Sequence, residues 1–175
     1  MAVTGGIVYA SLASSLPDPD VAKGRGRDQS SVILDRNGLV LAKLYAEQNR
    51  SDKKLNQIPA VLRSATIATE DRRFYTHKGV DPMGIARALV TDVALGRRAQ
   101  GGSTITQQYV KQAFVTDEKT LRRKAMEAML ANRIERAHSK DEILELYLNT
   151  IYFGHGAYGV ESAAQAYFGK GVEKL

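Results

Sequence analysis

The feature that most constrains the fold of this chain is a series of apolar positions at helical spacing, broken at intervals by residues that end helices. Pro59 suits the first turn of a helix, and apolar residues follow it every three or four positions. A second helix can begin at Asp81 and Pro82 and end near Gly96. This spacing predicts a mainly α fold.

Capping signals predict where further helices begin. Thr104 followed by Gln107 has the spacing of a capping box, in which two side chains and two backbone amides bond reciprocally. Ser139 followed by Glu142 has the same spacing. Asp117 is the expected N-cap of a long helix over the residues that follow it directly. These signals place much of the second half of the chain in helices.

A short β element is expected before the helices. Residues 32–34 and residues 39–41 are apolar, and Asn37-Gly38 between them is a strong turn signal for a β-hairpin. At the other end of the chain, a last helix is expected over about residues 158–168. It should stop at Gly169, because glycine favours the conformation that follows a helix. The expected fold class is therefore mainly α, with a small β-hairpin near the N-terminus.

Composition excludes several classes of function. The 175 residues are 43% hydrophobic and 25% charged, which is typical of a folded domain with one core. Cysteine is absent, so disulfides, thiolate metal sites and a cysteine nucleophile are excluded. The net charge of +6 suits an anionic membrane or a phosphorylated substrate. Nucleic acid is not an expected partner, because the chain has no RNA-binding aromatic signature and no zinc-ligand spacing.

Residues 1–30 are expected to precede the folded domain, which then covers residues 31–175. Residues 5–16 are apolar but too few to cross a bilayer, which takes about 20 apolar residues. They fit an ordinary helix or tail, or else the outer end of a membrane helix. Residues 23–30 are rich in glycine and basic residues, as a flexible linker is. The expectation is a membrane-proximal segment and linker before one domain.

The first candidate segment for chemistry is residues 70–79, a dense polar cluster at the end of the first helix. Glu70 and Phe74 are four residues apart and would share a helix face, with His77 one turn further if the helix continues. A carboxylate beside apolar and aromatic groups is suited to proton transfer. The alternative is a solvated helix end with routine charge pairs.

The second candidate segment is the pair Gly101-Gly102 and the helix start behind it. Paired glycines let the backbone approach a ligand closely, and a helix start offers free N–H groups to an anion. Thr104, Gln108 and Lys111 can project donors from adjoining turns. The alternative is a flexible loop before a well-capped helix. The segment is not a P-loop, since no Gly-Lys-Ser/Thr follows at the required spacing.

The third candidate segment is a cationic helix face. Arg123 and Lys124 stand four and three residues before Glu127, so both can flank its carboxylate, and clustered cations can also bind a diphosphate. The alternative is an exposed salt-bridge face, which contributes only about 0.2–0.5 kcal/mol per pair. A fourth segment, residues 140–149, is expected to serve mostly core packing and capping, with Lys140 and Asn149 as exceptions.

The order and separation of these segments resemble one family. The chain contains, in order, Glu-Asp-x-x-Phe-x-x-His-x-Gly, Gly-Gly-Ser-Thr-Ile-Thr-Gln-Gln, Arg-Lys-x-x-Glu and Lys-x-x-Ile-Leu-x-x-Tyr-Leu-Asn. It resembles glycosyltransferase family 51, the peptidoglycan glycosyltransferase domain of class A penicillin-binding proteins and of monofunctional transglycosylases. The matching stretch runs from about residue 31 to the end of the chain, and the second motif is intact.

The resemblance implies a lysozyme-like, two-lobed helical fold, with a small membrane-contacting jaw lobe around residues 85–115. The substrate would be lipid II, a disaccharide-pentapeptide on undecaprenyl diphosphate, which is joined to a growing glycan chain. The resemblance also implies a place at the outer face of the bacterial cell membrane and a transpeptidase domain or partner. It further implies that the domain continues beyond Leu175, so that this chain is C-terminally incomplete.

By position, Glu70 matches the family's catalytic base, which takes the proton from the 4-hydroxyl of the acceptor sugar. Glu127 matches the second essential glutamate, which holds a divalent cation (Mg²⁺ or Mn²⁺) at the diphosphate or orients the reacting groups. Phe74 and His77 would shape the cleft. The full substrate-binding set that the resemblance implies is Asp71, Phe74, His77, Gly102, Ser103, Thr104, Gln107, Gln108, Lys111, Arg123 and Lys124.

Two other classes of function stay open at this point. A lytic transglycosylase or lysozyme-like hydrolase would cleave the same glycan with one acid glutamate, and it would need no cations for a diphosphate. A non-catalytic, membrane-bound scaffold fragment would bind without turnover. The intact second motif and the cationic face before Glu127 count against the hydrolase.

Overall fold

A computed structural model describes residues 31–34, 36–44, 49–95, 101–114 and 120–175. The expected segment over residues 1–30 lies outside the described residues, as does Asp117. Six α-helices form most of the described chain. They are α1 (Ala60–Glu70), α2 (Pro82–Leu95), α3 (Ile105–Phe114), α4 (Leu121–Ala137), α5 (Lys140–Thr150) and α6 (Val160–Phe168). Short 3-10 turns lie at Leu55–Gln57 and Val172–Lys174.

Two small sheets accompany the helices. Strands β1 (Ser31–Leu34) and β2 (Val40–Leu44) pair antiparallel, and Gly38 in the turn between them has a φ of 82°. Strands β3 (Asn49–Arg50) and β4 (Ala157–Tyr158) pair in parallel and join distant parts of the chain. The prediction of a mainly α fold with an N-terminal hairpin is confirmed, and it is consistent with the lysozyme-like fold that the resemblance implies.

Helix α3 lies at the centre of the core and packs against α4 and α5. Its residues Ile105, Tyr109 and Val110 are buried, because their spacing places them on the inner side of the helix. Six other buried members of the same apolar cluster are Phe74, Leu130, Ile134, Ile143, Leu144 and Leu148. Helix α1 is different, since none of its side chains is fully buried. The core therefore fixes α3 more firmly than it fixes α1.

Both predicted capping boxes are confirmed. The Thr104 amide donates to Oε1 of Gln107, and the Gln107 amide donates to Oγ1 of Thr104, each at 3.1 Å. The Glu142 amide donates to the Ser139 hydroxyl at 3.3 Å, and the Ser139 amide donates to the Glu142 carboxylate at 2.8 Å. These bonds satisfy amides that a helix start would otherwise leave unpaired.

The start of α4 corrects one expectation. The helix begins at Leu121, and its N-cap is Thr120 rather than Asp117. The Thr120 hydroxyl accepts a 3.1 Å hydrogen bond from the Arg123 amide. Threonine caps nearly as well as aspartate, so local preference could not choose between the two positions.

Helix α6 begins at Val160, slightly later than expected. The two residues before Gly159 form strand β4, and Gly159 itself has a φ of 81°. A Cβ atom at Gly159 would lie 2.8 Å from the carbonyl oxygen of Asn149, so only glycine fits there. The helix ends as predicted, with Gly169 in the left-handed conformation.

Candidate active site

An open cavity lies where the end of α1 meets α2, α3 and the loop that leads into α3. Its volume is about 340 Å³. Charged and polar side chains dominate its wall. They are Glu70, Arg72, Arg87, Ser103, Gln108 and Lys111. The fold therefore brings the first two candidate segments of the sequence to one cavity.

Glu70 supplies the carboxylate of this cavity. It is the last residue of α1 and is exposed. Its Oε2 accepts a 3.0 Å hydrogen bond from Nε2 of Gln108. A carboxylate oxygen has two lone pairs, so one amide donor leaves Glu70 able to accept a proton from a ligand in the cavity. Glu70 thus meets the geometric requirement for a general base.

Three cations share the cavity with Glu70. Lys111 comes from α3, Arg87 from α2 and Arg72 from the turn after α1, and all three are exposed. Nε of Arg72 donates to the carbonyl oxygen of Ala68 at 3.1 Å, which holds the guanidinium beside α1. Arginine and lysine side chains that converge in this way can bind a polyanion such as a diphosphate. The cavity combines a base with an anion site.

Two of these cations were not expected from the sequence. Arg72 lies inside the first candidate segment, where it resembles an ordinary surface charge. Arg87 lies on α2, whose exposed Met83, Ile85 and Val90 dominate its pattern. The only feature of the sequence that could have indicated Arg87 as a site residue is its charge on an otherwise apolar stretch of helix. Its direction toward Glu70 is a property of the tertiary fold.

Glu127 has a different environment from Glu70. It is 1% exposed, and each of its carboxylate oxygens faces a cation. Nη1 of Arg123 donates to Oε1, and Nζ of Lys124 donates to Oε2 at 3.0 Å. Nζ of Lys124 also donates to the hydroxyl of Ser103 at 2.8 Å, and Ser103 lines the cavity.

The two glutamates differ in their relation to the described cavity. Glu70 is part of the cavity wall, whereas Glu127 is linked to that wall through Lys124 and Ser103. The resemblance implies that folding brings Glu70 and Glu127 together at one site, and this stays a prediction. The described contacts connect them indirectly, with Arg123 and Lys124 holding the Glu127 carboxylate.

A metal-binding role for Glu127 does not fit this arrangement. Both carboxylate oxygens are bonded to cationic side chains, which would repel a divalent cation. Within the described residues, no group of three or more His, Cys, Asp or Glu side chains is arranged to hold a metal ion. The expected Mg²⁺ or Mn²⁺ ligand at Glu127 is thus not supported by the geometry.

Asp71 and His77 form a buried network behind the cavity. Oδ2 of Asp71 accepts from the Ile105 amide at 3.0 Å and lies 2.8 Å from Nε2 of His77. Nδ1 of His77 accepts from the Gly79 amide at 3.2 Å, so Nε2 carries the proton that is donated to Asp71. The network joins the end of α1 to the start of α3. It stops α1 at Glu70, so the helix does not continue to His77.

Several expected substrate contacts turn inward. Phe74 is fully buried in the core and His77 is 7% exposed, and neither lines the described cavity, so their role in shaping the cleft stays a prediction. Thr104 and Gln107 are also buried, and Oγ1 of Thr104 donates to the Gly79 carbonyl at 2.7 Å. With Asp71, these side chains position the cavity wall. Their polar type made them resemble ligand contacts in the sequence.

Gly102 allows the loop before α3 to approach α2. A Cβ atom at Gly102 would lie 3.4 Å from the Cα atom of Ile85, at the near limit of an ordinary van der Waals contact. Gly102 also lines a small recess of about 20 Å³ beside the main cavity, together with Glu70, Arg87 and Asp71. The glycine therefore serves close backbone packing at the cavity rim.

In the fourth segment, Asn149 and Lys140, the two residues not expected to serve only packing and capping, make contacts that hold the fold together. Asn149 pairs with the backbone of Lys53, accepting from its amide and donating to its carbonyl, each at 2.8 Å. Nζ of Lys140 donates to Glu135 at 2.7 Å and lies 4.6 Å from the centre of the Phe74 ring. These contacts tie α5 to the chain before α1 and to α4.

An apolar surface lies on α2, within the expected jaw lobe. Met83, Ile85 and Val90 are 64%, 45% and 68% exposed. Residues 96–100 and residue 115 of the expected lobe lie outside the described part of the chain. In the described residues, no helix combines the length and hydropathy needed to cross a membrane.

The fold and the cavity together define a class of protein: a mainly helical domain whose cavity holds a carboxylate and three cationic side chains. The family model for transglycosylases matches residues 37–175. The chain therefore belongs to the transglycosylase family. The resemblance to peptidoglycan glycosyltransferases and the expected class of enzyme are confirmed by this match.

Curated relatives share this domain. The chain is 49% identical over 146 residues to penicillin-binding protein 1F of Bacillus subtilis (strain 168), which covers 83% of the chain. It is 48% identical over 164 residues to penicillin-binding protein 1A of Aquifex aeolicus (strain VF5), which covers 94%. It is 48% identical over 168 residues to penicillin-binding protein 1A of Escherichia coli (strain K12), which covers 96%. The chain spans about a fifth of the length of these relatives, at 20%, 22% and 20%.

Proposed function

We propose that this domain polymerises lipid II into glycan strands, with Glu70 as the catalytic base. The observation that carries the proposal is the shared cavity of Glu70 with Arg72, Arg87 and Lys111. A transfer reaction that releases a diphosphate needs a base for the attacking hydroxyl and positive charge for the leaving group. The cavity supplies both within one space.

The proposed reaction is a single inverting displacement. Glu70 removes the proton from the 4-hydroxyl of the acceptor sugar, and that oxygen attacks the anomeric carbon of the donor. The bond between the anomeric carbon and the diphosphate oxygen breaks as the new glycosidic bond forms. Undecaprenyl diphosphate leaves with the electron pair, and Glu70 ends the step as a neutral carboxylic acid.

The leaving diphosphate explains why the cavity is cationic. Negative charge grows on the diphosphate in the transition state, and Lys111 and Arg87 are placed to stabilise it. A diphosphate is a good leaving group, so no second carboxylic acid has to protonate it. A glycan hydrolase has the opposite requirement, because its leaving sugar oxygen must be protonated. The cations therefore favour transfer over hydrolysis.

Glu127 has an organising role in this proposal. Its carboxylate holds Arg123 and Lys124 in place, and Lys124 in turn holds Ser103 at the cavity wall. It thereby neutralises the two cations without contacting the reacting atoms. The resemblance implies a divalent cation, Mg²⁺ or Mn²⁺, but no step of the proposed reaction depends on one, since Glu127 does not fit as its ligand.

The cellular setting is also proposed. Met83, Ile85 and Val90 would rest against lipid, as apolar side chains of a membrane-contacting helix do. The domain over residues 31–175 would then act at the outer face of the bacterial cell membrane, with residues 1–30 next to the bilayer. The relatives are named as penicillin-binding proteins, so a transpeptidase domain is the proposed partner activity.

Incubation of the chain with fluorescently labelled lipid II in detergent tests the function. Glycan polymer that is absent with the Glu70→Gln variant supports the proposal. Shortening of finished glycan without polymer formation would instead support a lytic enzyme. Binding of lipid II without any product in the wild-type chain would support a scaffold fragment, and would contradict the proposed activity of this chain.

A further inference from the structure

Tyr147 is a buried phenol at one end of a hydrogen-bonded chain that leads to Glu70. It lies on α5, is 4% exposed and packs within the apolar core. Its hydroxyl donates to Oε1 of Gln108 at 3.2 Å, and Nε2 of Gln108 donates to Oε2 of Glu70 at 3.0 Å. Three side chains from three helices thus form one continuous connection.

The hydrogen-bonding capacity of the three side chains determines which group donates and which accepts in each of the two bonds. An ionised Glu70 can only accept, so the amide group of Gln108 that faces it must be the NH₂. The carbonyl oxygen of Gln108 then faces the phenol, which must donate. Burial and the negative charge of Glu70 raise the pKa of Tyr147, so the phenol keeps its proton at neutral pH.

We propose that Tyr147 is a positioning residue for the catalytic base, acting through Gln108. This inference rests on the proposed function of Glu70. The core fixes the phenol, the phenol selects one of the two faces of the Gln108 amide, and the amide holds the Glu70 carboxylate in one orientation. Without the hydroxyl, the oxygen of the Gln108 amide loses its donor, and the amide can rotate by half a turn. Its oxygen then faces the Glu70 carboxylate, and two acceptors cannot form a hydrogen bond with each other.

The matched variants are Tyr147→Phe and Tyr75→Phe, each of which removes only a hydroxyl. Tyr75 is exposed and donates to Asp141 at 3.0 Å, away from the cavity. We expect Tyr147→Phe to lower kcat by about 5- to 10-fold, the loss that one hydrogen bond explains, with little change in KM. Tyr75→Phe should retain wild-type turnover. Equal losses in both variants would overturn the inference.

A double-mutant cycle tests whether Tyr147 acts through Gln108. Turnover of labelled lipid II is measured for Tyr147→Phe, Gln108→Ala and the double variant, with melting temperatures recorded for each. The double variant should be no slower than Gln108→Ala, because the phenol has nothing left to orient. Losses that multiply would mean that Tyr147 acts independently of Gln108, and the inference would be wrong.

A second measurement does not depend on turnover. In ¹⁵N NMR spectra, the side-chain NH₂ signals of Gln108, assigned from their absence in Gln108→Ala, should shift in Tyr147→Phe and stay in place in Tyr75→Phe. Unchanged signals in Tyr147→Phe would refute the positioning role. If Glu70→Gln polymerises normally, the proposed role of Glu70 as catalytic base fails. If that variant is inactive while Tyr147→Phe matches the wild type in rate and spectrum, only this inference fails.

Discussion

The two glutamates that stand out in the sequence occupy opposite environments. Glu70 is exposed at the end of α1, lines a cavity and accepts one bond from a neutral amide. Glu127 is 1% exposed in the middle of α4 and is bonded to two cations. The comparison teaches that a reactive carboxylate needs an accessible lone pair. A carboxylate whose oxygens are bonded to cations is suited to holding structure.

The environments also predict different energetic roles. Removing one partner of a buried ion pair leaves charge without compensation, and this is strongly destabilising. An exposed carboxylate can be neutralised with little effect on stability. Activity should therefore depend most on Glu70, and stability should depend most on Glu127. The predictions below are ordered by the size of the expected effect.

Glu70→Gln is expected to lower the rate of lipid II polymerisation by about 10²- to 10⁴-fold, because the cavity loses its proton acceptor. The melting temperature should stay close to that of the wild type, since Glu70 is exposed. Polymerisation assays and thermal unfolding of the same preparation check both parts. Normal polymerisation by this variant would show that activity does not depend on Glu70, and the proposed functional difference between the two glutamates would be wrong.

Lys111→Ala is expected to lower turnover by about 100-fold, because it removes positive charge from the leaving diphosphate. Arg87→Ala should act in the same direction. The matched control is Arg122→Ala, since Arg122 is an exposed cation on α4. Steady-state kinetics with labelled lipid II measure the effect. Equal rates for Lys111→Ala and the control would show that the cavity does not bind the diphosphate.

Glu127→Gln is expected to destabilise the domain by about 2–4 kcal/mol, because Arg123 and Lys124 lose their counter-charge. Turnover should fall by about 10- to 100-fold as the cavity wall shifts. Urea unfolding followed by circular dichroism gives the free energy, with Glu70→Gln as the comparison. A stable Glu127→Gln protein with the activity loss of Glu70→Gln would instead place Glu127 at the reacting atoms.

Ser103→Ala should have the smallest effect, about 2- to 5-fold on turnover, because it breaks one exposed contact between Lys124 and the cavity wall. Its melting temperature should match that of the wild type. The same kinetic assay measures how much of the effect of Glu127 on turnover passes through the contact between Lys124 and Ser103. A loss as large as that of Glu127→Gln would mean that the two sites are coupled mainly through Ser103.

The sequence predicted the fold better than it predicted the site. Capping boxes at Thr104 and Ser139 are local features, so their spacing sufficed. Phe74 and His77 were expected in the cleft because they share a motif with Glu70. The Asp71 network ends α1 at Glu70 and turns them into the interior. Local sequence does not encode that change of direction.

The missed residues have a related explanation. Arg87 faces the cavity because α2 packs beside the loop at Gly102, and that packing is a long-range contact. Tyr147 was expected to be a core residue, which is correct for its ring. Its hydroxyl contacts Gln108 only because α3 and α5 pack against each other. Such contacts have no signature in one sequence.

The most direct test of the account is a crystal structure of the Glu70→Gln variant with lipid II bound. We predict that the acceptor 4-hydroxyl lies within about 3.2 Å of the residue-70 side chain, and that the donor diphosphate contacts Lys111 and Arg87. A hydroxyl placed instead against Glu127, or a diphosphate bound outside the cavity, would contradict the account.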